Sequence, residues 1–141
     1  MFNVRVYGLL IHQQNLLLAD ESFAGKTFTK FPGGGLQFGE STVDCLKREF
    51  MEEYGWDVIV KQHFYTTDFF VPSVFDARQQ VLAVYYFVEV NETLLSFNSL
   101  HALDGSGSLR WKSLNTLVIA DVTFPIEKHV VHLLLQLNNR S

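Results

Sequence analysis

Three glutamates, Glu49, Glu52 and Glu53, stand within one short stretch, and an arginine, Arg48, directly precedes the first. On an α-helix, steps of three and four residues return to nearly the same azimuth, so the three carboxylates are expected to converge on one side. Like charges that close repel by a few tenths of a kcal/mol per pair in water, and by more where solvent is restricted. A divalent cation reverses the sign of that problem. Hard carboxylate oxygens suit magnesium, which keeps several of its waters and shares substrate phosphates with one or two carboxylates. A solvated acidic face would account for the glutamates taken alone. The segment upstream adds what that reading lacks: Gly33-Gly34-Gly35, with Lys26 and Lys30 before it, is a loop whose backbone can come close to a metal or a phosphate.

The elements around this cluster follow from local pattern. Ser41 is a good N-cap, Asp44 sits at the capping-box position and Gly55 is placed to end a helix, so a helix is expected over Ser41 to Tyr54. Its Val43, Leu46, Phe50 and Tyr54 form an apolar stripe that would press it onto a sheet and fix the acidic face in place. Val4 to Ile11 and Leu16 to Ala19 are rich in strand formers and are separated by polar His12 to Asn15, which suggests a hairpin. Asp20 to Lys30 shows no clear period and reads as irregular. Trp56 to Val71 and Gln79 to Val90 read as long strands, with a loop at Pro72 to Arg78. After a polar stretch, Leu109 to Lys112 reads as a short strand, followed by a helical turn from Ser113. Pro125 to Asn138, with Ile126, Val130, Leu133, Leu134 and Leu137 at helical spacing, closes the chain as a helix.

Gly34, five residues, Glu40, seven residues, then Arg48-Glu49-Phe50-Met51-Glu52-Glu53-Tyr54-Gly55-Trp56 resembles the Nudix box. Every defining position of that 23-residue signature is filled, the bulky apolar sites at Phe50 and Trp56 included. The resemblance implies an α/β fold in which a mixed β-sheet is sandwiched between α-helices, with the box as a loop-helix-loop carrying a metal site. It places Glu49, Glu52 and Glu53 among the ligands of magnesium, with manganese as the alternative ion, and lets the carbonyl of Gly34 or a neighbouring glycine complete the shell. It also implies that Arg48 orients a carboxylate, Glu40, by charge-assisted hydrogen bonds. The implied reaction is attack of water on phosphorus in a pyrophosphate linkage, with Glu49 the first choice of base and Glu53 its partner. The substrate would be a nucleoside diphosphate joined to another moiety: a nucleoside triphosphate, ADP-ribose or a nucleotide sugar. Many relatives carry a further glutamate just before the strand that holds Trp111, where this chain offers only Asp104, with Glu89 and Glu92 as distant substitutes.

Two rival readings stay open. A GDP-mannose-type enzyme cleaves at the sugar carbon, and a sensor of this fold binds a nucleotide derivative without turning it over. The intact box favours attack at phosphorus over the first, and the full set of glutamates favours an enzyme over the second. Candidate substrate contacts are Lys30, Phe69, Phe70 and Pro72, with Phe23, Phe28, Tyr85 and Tyr86 as further flat surfaces on which a base could stack. The five histidines have no ligand spacing, and Cys45 reads as a packed small residue rather than a nucleophile.

The bulk properties bound these readings. The 141 residues, 48% of them hydrophobic, suit a single domain over 1-141. With 11 basic against 15 acidic side chains the net charge is -4, which argues against nucleic acid gripped along a basic face. A single cysteine cannot form an internal disulfide, and the amino terminus lacks a long apolar run and a cleavage site, so a cytoplasmic protein is expected. No apolar run approaches the roughly 20 residues that span a bilayer. The apolar final helix and the strand-rich amino terminus are each surfaces that cover the core or join two copies in a homodimer.

Overall fold

A computed structural model describes residues 1–139. Strand β1 (Phe2–Leu9) alternates its apolar side chains between two sides, Val6 facing one buried cluster and Tyr7 and Leu9 the other. Strands β2 (Ile11–His12) and β3 (Asn15–Phe23) meet across Gln13 and Gln14, both at positive φ (50° and 65°), as a two-residue hairpin turn requires. The expected hairpin is therefore shorter than Val4 to Ile11 against Leu16 to Ala19, because β1 leaves it to join another sheet. Asp20 to Lys30 is not irregular. β3 runs on to Phe23, turns at Ala24-Gly25 and returns as β4 (Lys26–Lys30), pairing Ala19 with Lys30 and Phe23 with Lys26. The polar and aromatic alternation there belongs to a paired ribbon that is exposed toward its turn and buried at Lys30.

Strand β5 (Gly33–Gly35) lies antiparallel on β1, and helix α1 (Thr42–Tyr54) follows. Ser41 caps α1 by accepting a bond from the Asp44 N–H at 3.0 Å, and the Gly55 N–H closes it on the Met51 carbonyl. Strand β6 (Ile59–Thr66) is shorter than expected at both ends and carries two register shifts against β7 (Gln80–Glu89). Strands β8 (Ser99–His101) and β9 (Gly107–Ser113) come next, with single 3-10 turns at Glu92–Leu94 and Ile119–Asp121. A single turn does follow Ser113, whose carbonyl accepts the Thr116 N–H at 3.2 Å, and the second 3-10 turn comes after it. Helix α2 (Pro125–Asn138) starts with proline in its first turn, where the missing N–H costs nothing.

Two sheets result. One is mixed, in the order β5-β1-β7-β6, with β1 parallel to β7 and the other pairs antiparallel. The other is antiparallel, in the order β2-β3-β9-β8 with β4 on β3. Cys45, Leu46, Phe50 and Tyr54 of α1 pack with Val6, Leu17 and Trp56, whereas Val130, Val131 and Leu134 of α2 pack with Tyr7, Leu16, Leu18 and Tyr85. Neighbouring residues of one strand, Leu17 and Leu18, thus feed opposite cores, and the sheets lie between the helices. Among the described residues no helix is long and apolar enough to cross a membrane.

Candidate active site

The close approach of β5 to β1 positions the site. Gly33 has φ 152°, and a Cβ there would stand 2.7 Å from the Tyr7 Cα, so only glycine fits. A Cβ on Gly34 would lie 2.5 Å from both carboxylate oxygens of Glu49. The glycine strand is therefore a cradle, and the Glu49 carboxylate fills the space that a side chain would take.

Arg48 holds the box together. Its Nε and Nη2 donate to the two oxygens of Glu40 at 3.0 and 2.8 Å, a second Nη2 proton goes to the Gly35 carbonyl at 3.1 Å, and Nη1 donates to Glu49 at 3.0 Å and Glu52 at 3.1 Å. All five guanidinium donors are used. Glu40 also accepts the Gln37 N–H at 2.9 Å. The bonds from Arg48, with that of Gln37, hold the Glu40 carboxyl down to about 2.

The three glutamates do not meet at one point. Glu49 and Glu53 line a cavity of 510 Å³, while Glu52, four residues beyond Arg48, is drawn to the guanidinium and lies largely in solvent. Among the described residues no three His, Cys, Asp or Glu side chains stand as a preformed metal cage. Glu53 is desolvated and faces Glu49 and Glu21, which pushes it up to about 7 although Lys30 pulls the other way. Two facing carboxyls, one of them half-buried, beside a backbone cradle offer hard oxygen donors, a chemistry that fits a magnesium-type ion.

Apart from Lys30, the charged residues that complete the cavity were not legible in the sequence. Glu21 of β3 lines it and pairs with Lys30 at 3.2 Å. Lys30, buried at 8% exposure, stands over the Tyr7 ring at 5.6 Å. Arg5, whose Nε donates to the Tyr7 hydroxyl at 2.6 Å, and Glu127 of α2 complete the charged lining. Glu21 and Lys30 come together only because β3 and β4 pair, and the Gly25 turn was the one signal for that. Glu127 reads in sequence as an acidic residue in the first turn of a helix, where the helix dipole alone accounts for it.

Of the expected substrate contacts, Lys30 and Pro72 line the cavity, as do Phe23, Phe28 and Tyr85. Phe69 and Phe70 lie outside its walls. β6 ends at Thr66 instead of continuing to Val71, so residues 67–70 turn outward, where Phe70 is exposed and Phe69 sits edge-on to His129 at 5.5 Å. Tyr86 is also elsewhere, its hydroxyl sharing a bond with Thr42 at 2.7 Å. Glu89, Glu92 and Asp104 stay away from the cavity: Glu89 pairs with Lys61, Glu92 opens a 3-10 turn and Asp104 accepts the Ser106 N–H. Cys45 is fully buried with its thiol directed at the Gly35 carbonyl, and desolvation raises it to about 12, so it is no nucleophile at neutral pH.

This charged cavity, fed by a glycine strand and a Glu-rich helix, lies in a chain that the profile of the NUDIX domain matches over residues 1–133. The chain belongs to the Nudix family, enzymes that hydrolyse pyrophosphate bonds. No curated protein matches in sequence. Among solved structures the fold is similar to the E. coli ORF135 protein, with a TM-score of 0.76 and 16% identity over 97% of this chain and 91% of that one. It is also similar to MutT from work on Aliivibrio salmonicida and Vibrio cholerae, with a TM-score of 0.65 and 20% identity over 96% and 98%. A bifunctional NMN adenylyltransferase/ADP ribose pyrophosphatase from Francisella tularensis, complexed with AMP and a manganese ion, shares a TM-score of 0.64 and 18% identity over 96% of this chain and 42% of that one.

Proposed function

We propose that this chain, as one domain, is a magnesium-dependent hydrolase that cleaves a pyrophosphate linkage in a small nucleotide derivative by attack of water at phosphorus. The observation that carries this reading is that Glu49 and Glu53 line one cavity together with Arg5 and Lys30. Glu49, Glu53 and the carbonyl of Gly34 are the groups that would hold the ion, with manganese as a substitute, and Glu52 would join them only by giving up its bond to Arg48. When bound, the ion supplies Lewis acidity that lowers the pKa of water and offsets charge on the phosphate oxygens.

The chain's own residues do the rest. Lys30 and Arg5 meet the phosphate oxygens, and their partial burial strengthens each contact. Glu49, seated in the Gly34 cradle, takes the proton from the attacking water. Glu53, facing Glu49 in the cavity, adds a second carboxylate beside the base. Arg48 is a positioning residue, fixing Glu49 from one side while Glu40 fixes Arg48 from the other. Pro72 and the aromatic lining receive the rest of the substrate. A cytoplasmic location and a homodimer are compatible with this chemistry and are not required by it.

The test is phosphate and pyrophosphate release from nucleoside triphosphates, ADP-ribose, nucleotide sugars and dinucleotide polyphosphates, with magnesium or with EDTA. Turnover of one group is expected only with metal. Glu49→Gln and Glu53→Gln should each lower kcat by about 10²-fold or more. Near-wild-type turnover by both variants would defeat the assignment, and tight binding without turnover by the wild type would leave a sensor.

A further inference from the structure

The cavity holds a carboxyl group that hydrolysis leaves without a task. Glu127, in the first turn of α2, is only 4% exposed, lines the cavity and, among the described residues, forms no ion pair and no side-chain hydrogen bond with another residue. Burial pushes its carboxyl pKa up, opposed first by a hydrogen bond from its own backbone N–H and then by Lys30 and Arg5. Nearby, the fully buried Tyr85 hydroxyl, which also senses the Glu127 charge, has no hydrogen-bond partner among the described residues. A buried carboxyl whose only donor is its own backbone N–H keeps acceptor capacity that is costly to leave unmet.

The opposite requirement comes from the walls. Phe28 of β4 stacks on Phe124 at 5.3 Å, and Phe75, from the loop before β7, meets them edge-on at 5.8 and 6.2 Å. All three line the cavity, and they come from separate segments of the chain. Such a wall takes a flat apolar ring, and the carboxyl takes an N–H on the edge of that ring.

We propose that Glu127 is the specificity-determining residue of this cavity, its carboxylate accepting a hydrogen bond from the exocyclic amino group of a nucleobase held against Phe28, Phe75 and Phe124. The inference rests on the hydrolase reading in that the ligand is a nucleotide. A base with a keto oxygen at that position would turn an acceptor toward an acceptor. Cytosine is therefore preferred to uracil, and adenine to hypoxanthine. An amide at 127 keeps an acceptor and gains a donor, so it admits both kinds.

Calorimetric binding of CMP against UMP and of AMP against IMP, to the wild type, Glu127→Gln and Glu127→Ala, tests this. Inorganic triphosphate serves as the probe of the phosphate side. The wild type is expected to favour the amino-bearing member of at least one pair by about tenfold or more. Glu127→Gln should bring that pair to near equality by accepting the keto base, and Glu127→Ala should do so by losing the amino base, with triphosphate still bound by all three proteins. Equal affinity within both pairs for the wild type, a preference that survives in both variants, or binding of triphosphate but of no monophosphate would overturn it. Because binding is read without turnover, discrimination without cleavage would retire the hydrolase reading alone, and cleavage without discrimination would retire this one alone.

Discussion

Glu40 and Glu53 belong to the same loop-helix unit and are displaced in opposite directions from the ordinary carboxyl value of 4.5, Glu40 to about 2 by Arg48 and Glu53 to about 7 by desolvation and Glu49. Each shift ties stability to pH with its own sign. The Glu40 contribution is present above 4.5 and is lost as pH falls through about 2. The Glu53 contribution is fully present below 4.5 and is lost as pH rises through about 7. Thermal unfolding in EDTA should therefore show Glu40→Gln less stable than wild type near neutrality, with the gap closing toward acid. Glu53→Gln should melt about 3 °C above wild type near pH 8 and match it near pH 4. A protein that gains stability by losing a carboxylate while losing turnover is one whose site is held under electrostatic strain. A Glu53→Gln variant that melts below wild type near pH 8 would show that strain to be absent.

At the scale of elements, the site depends on how closely the glycine strand lies under α1. Gly34→Ala places a methyl group in the space of the Glu49 carboxylate, 2.5 Å from its oxygens. Glu49 must swing away and leave Arg48, so kcat should fall by about 10²-fold, with a smaller loss of stability. Gly33→Ala meets backbone at positive φ and should cost stability first, about 2 kcal/mol or more by urea unfolding. If Gly34→Ala kept full turnover, the cradle would be packing and nothing more. The N-cap is a separable contribution: Ser41→Ala should cost about 1 kcal/mol and leave the carboxylates in place.

Across the whole molecule, β3 divides its side chains between two cores, Leu17 to the α1 side and Leu18 to the α2 side, both fully buried. Leu17→Ala and Leu18→Ala should each cost about 2–5 kcal/mol by urea unfolding. Hydrogen exchange should then separate them, with protection lost mainly in α1 for the first and in α2 for the second. Equal loosening of both helices would mean that the sheets do not insulate one core from the other. The cavity draws on both sides, with Glu49 and Glu53 from α1 and Glu127 from α2.

The box was legible because its information is local. A capping serine, an apolar stripe, a closing glycine and the glutamate spacing all lie within a few turns of one helix, and the helix was found at Thr42–Tyr54 as the spacing implied. The closing helix was legible for the same reason. Strand ends were not, because the extent of β6 is set by its pairing with β7, which carries two internal register shifts, a property of two distant segments. That difference moved Phe69 and Phe70 out of the cavity. Glu52 shows the limit even within the helix: azimuth placed it beside Glu49 and Glu53, and a guanidinium four residues back turned it toward solvent. Sequence by itself determined the family, the helices and the identity of the acidic cluster, since short-range stereochemistry fixes them. Only the tertiary structure decided that Arg5, Glu21 and Glu127 share one cavity with that cluster. Long-range strand pairing and the docking of α2 brought together charges that are far apart along the chain.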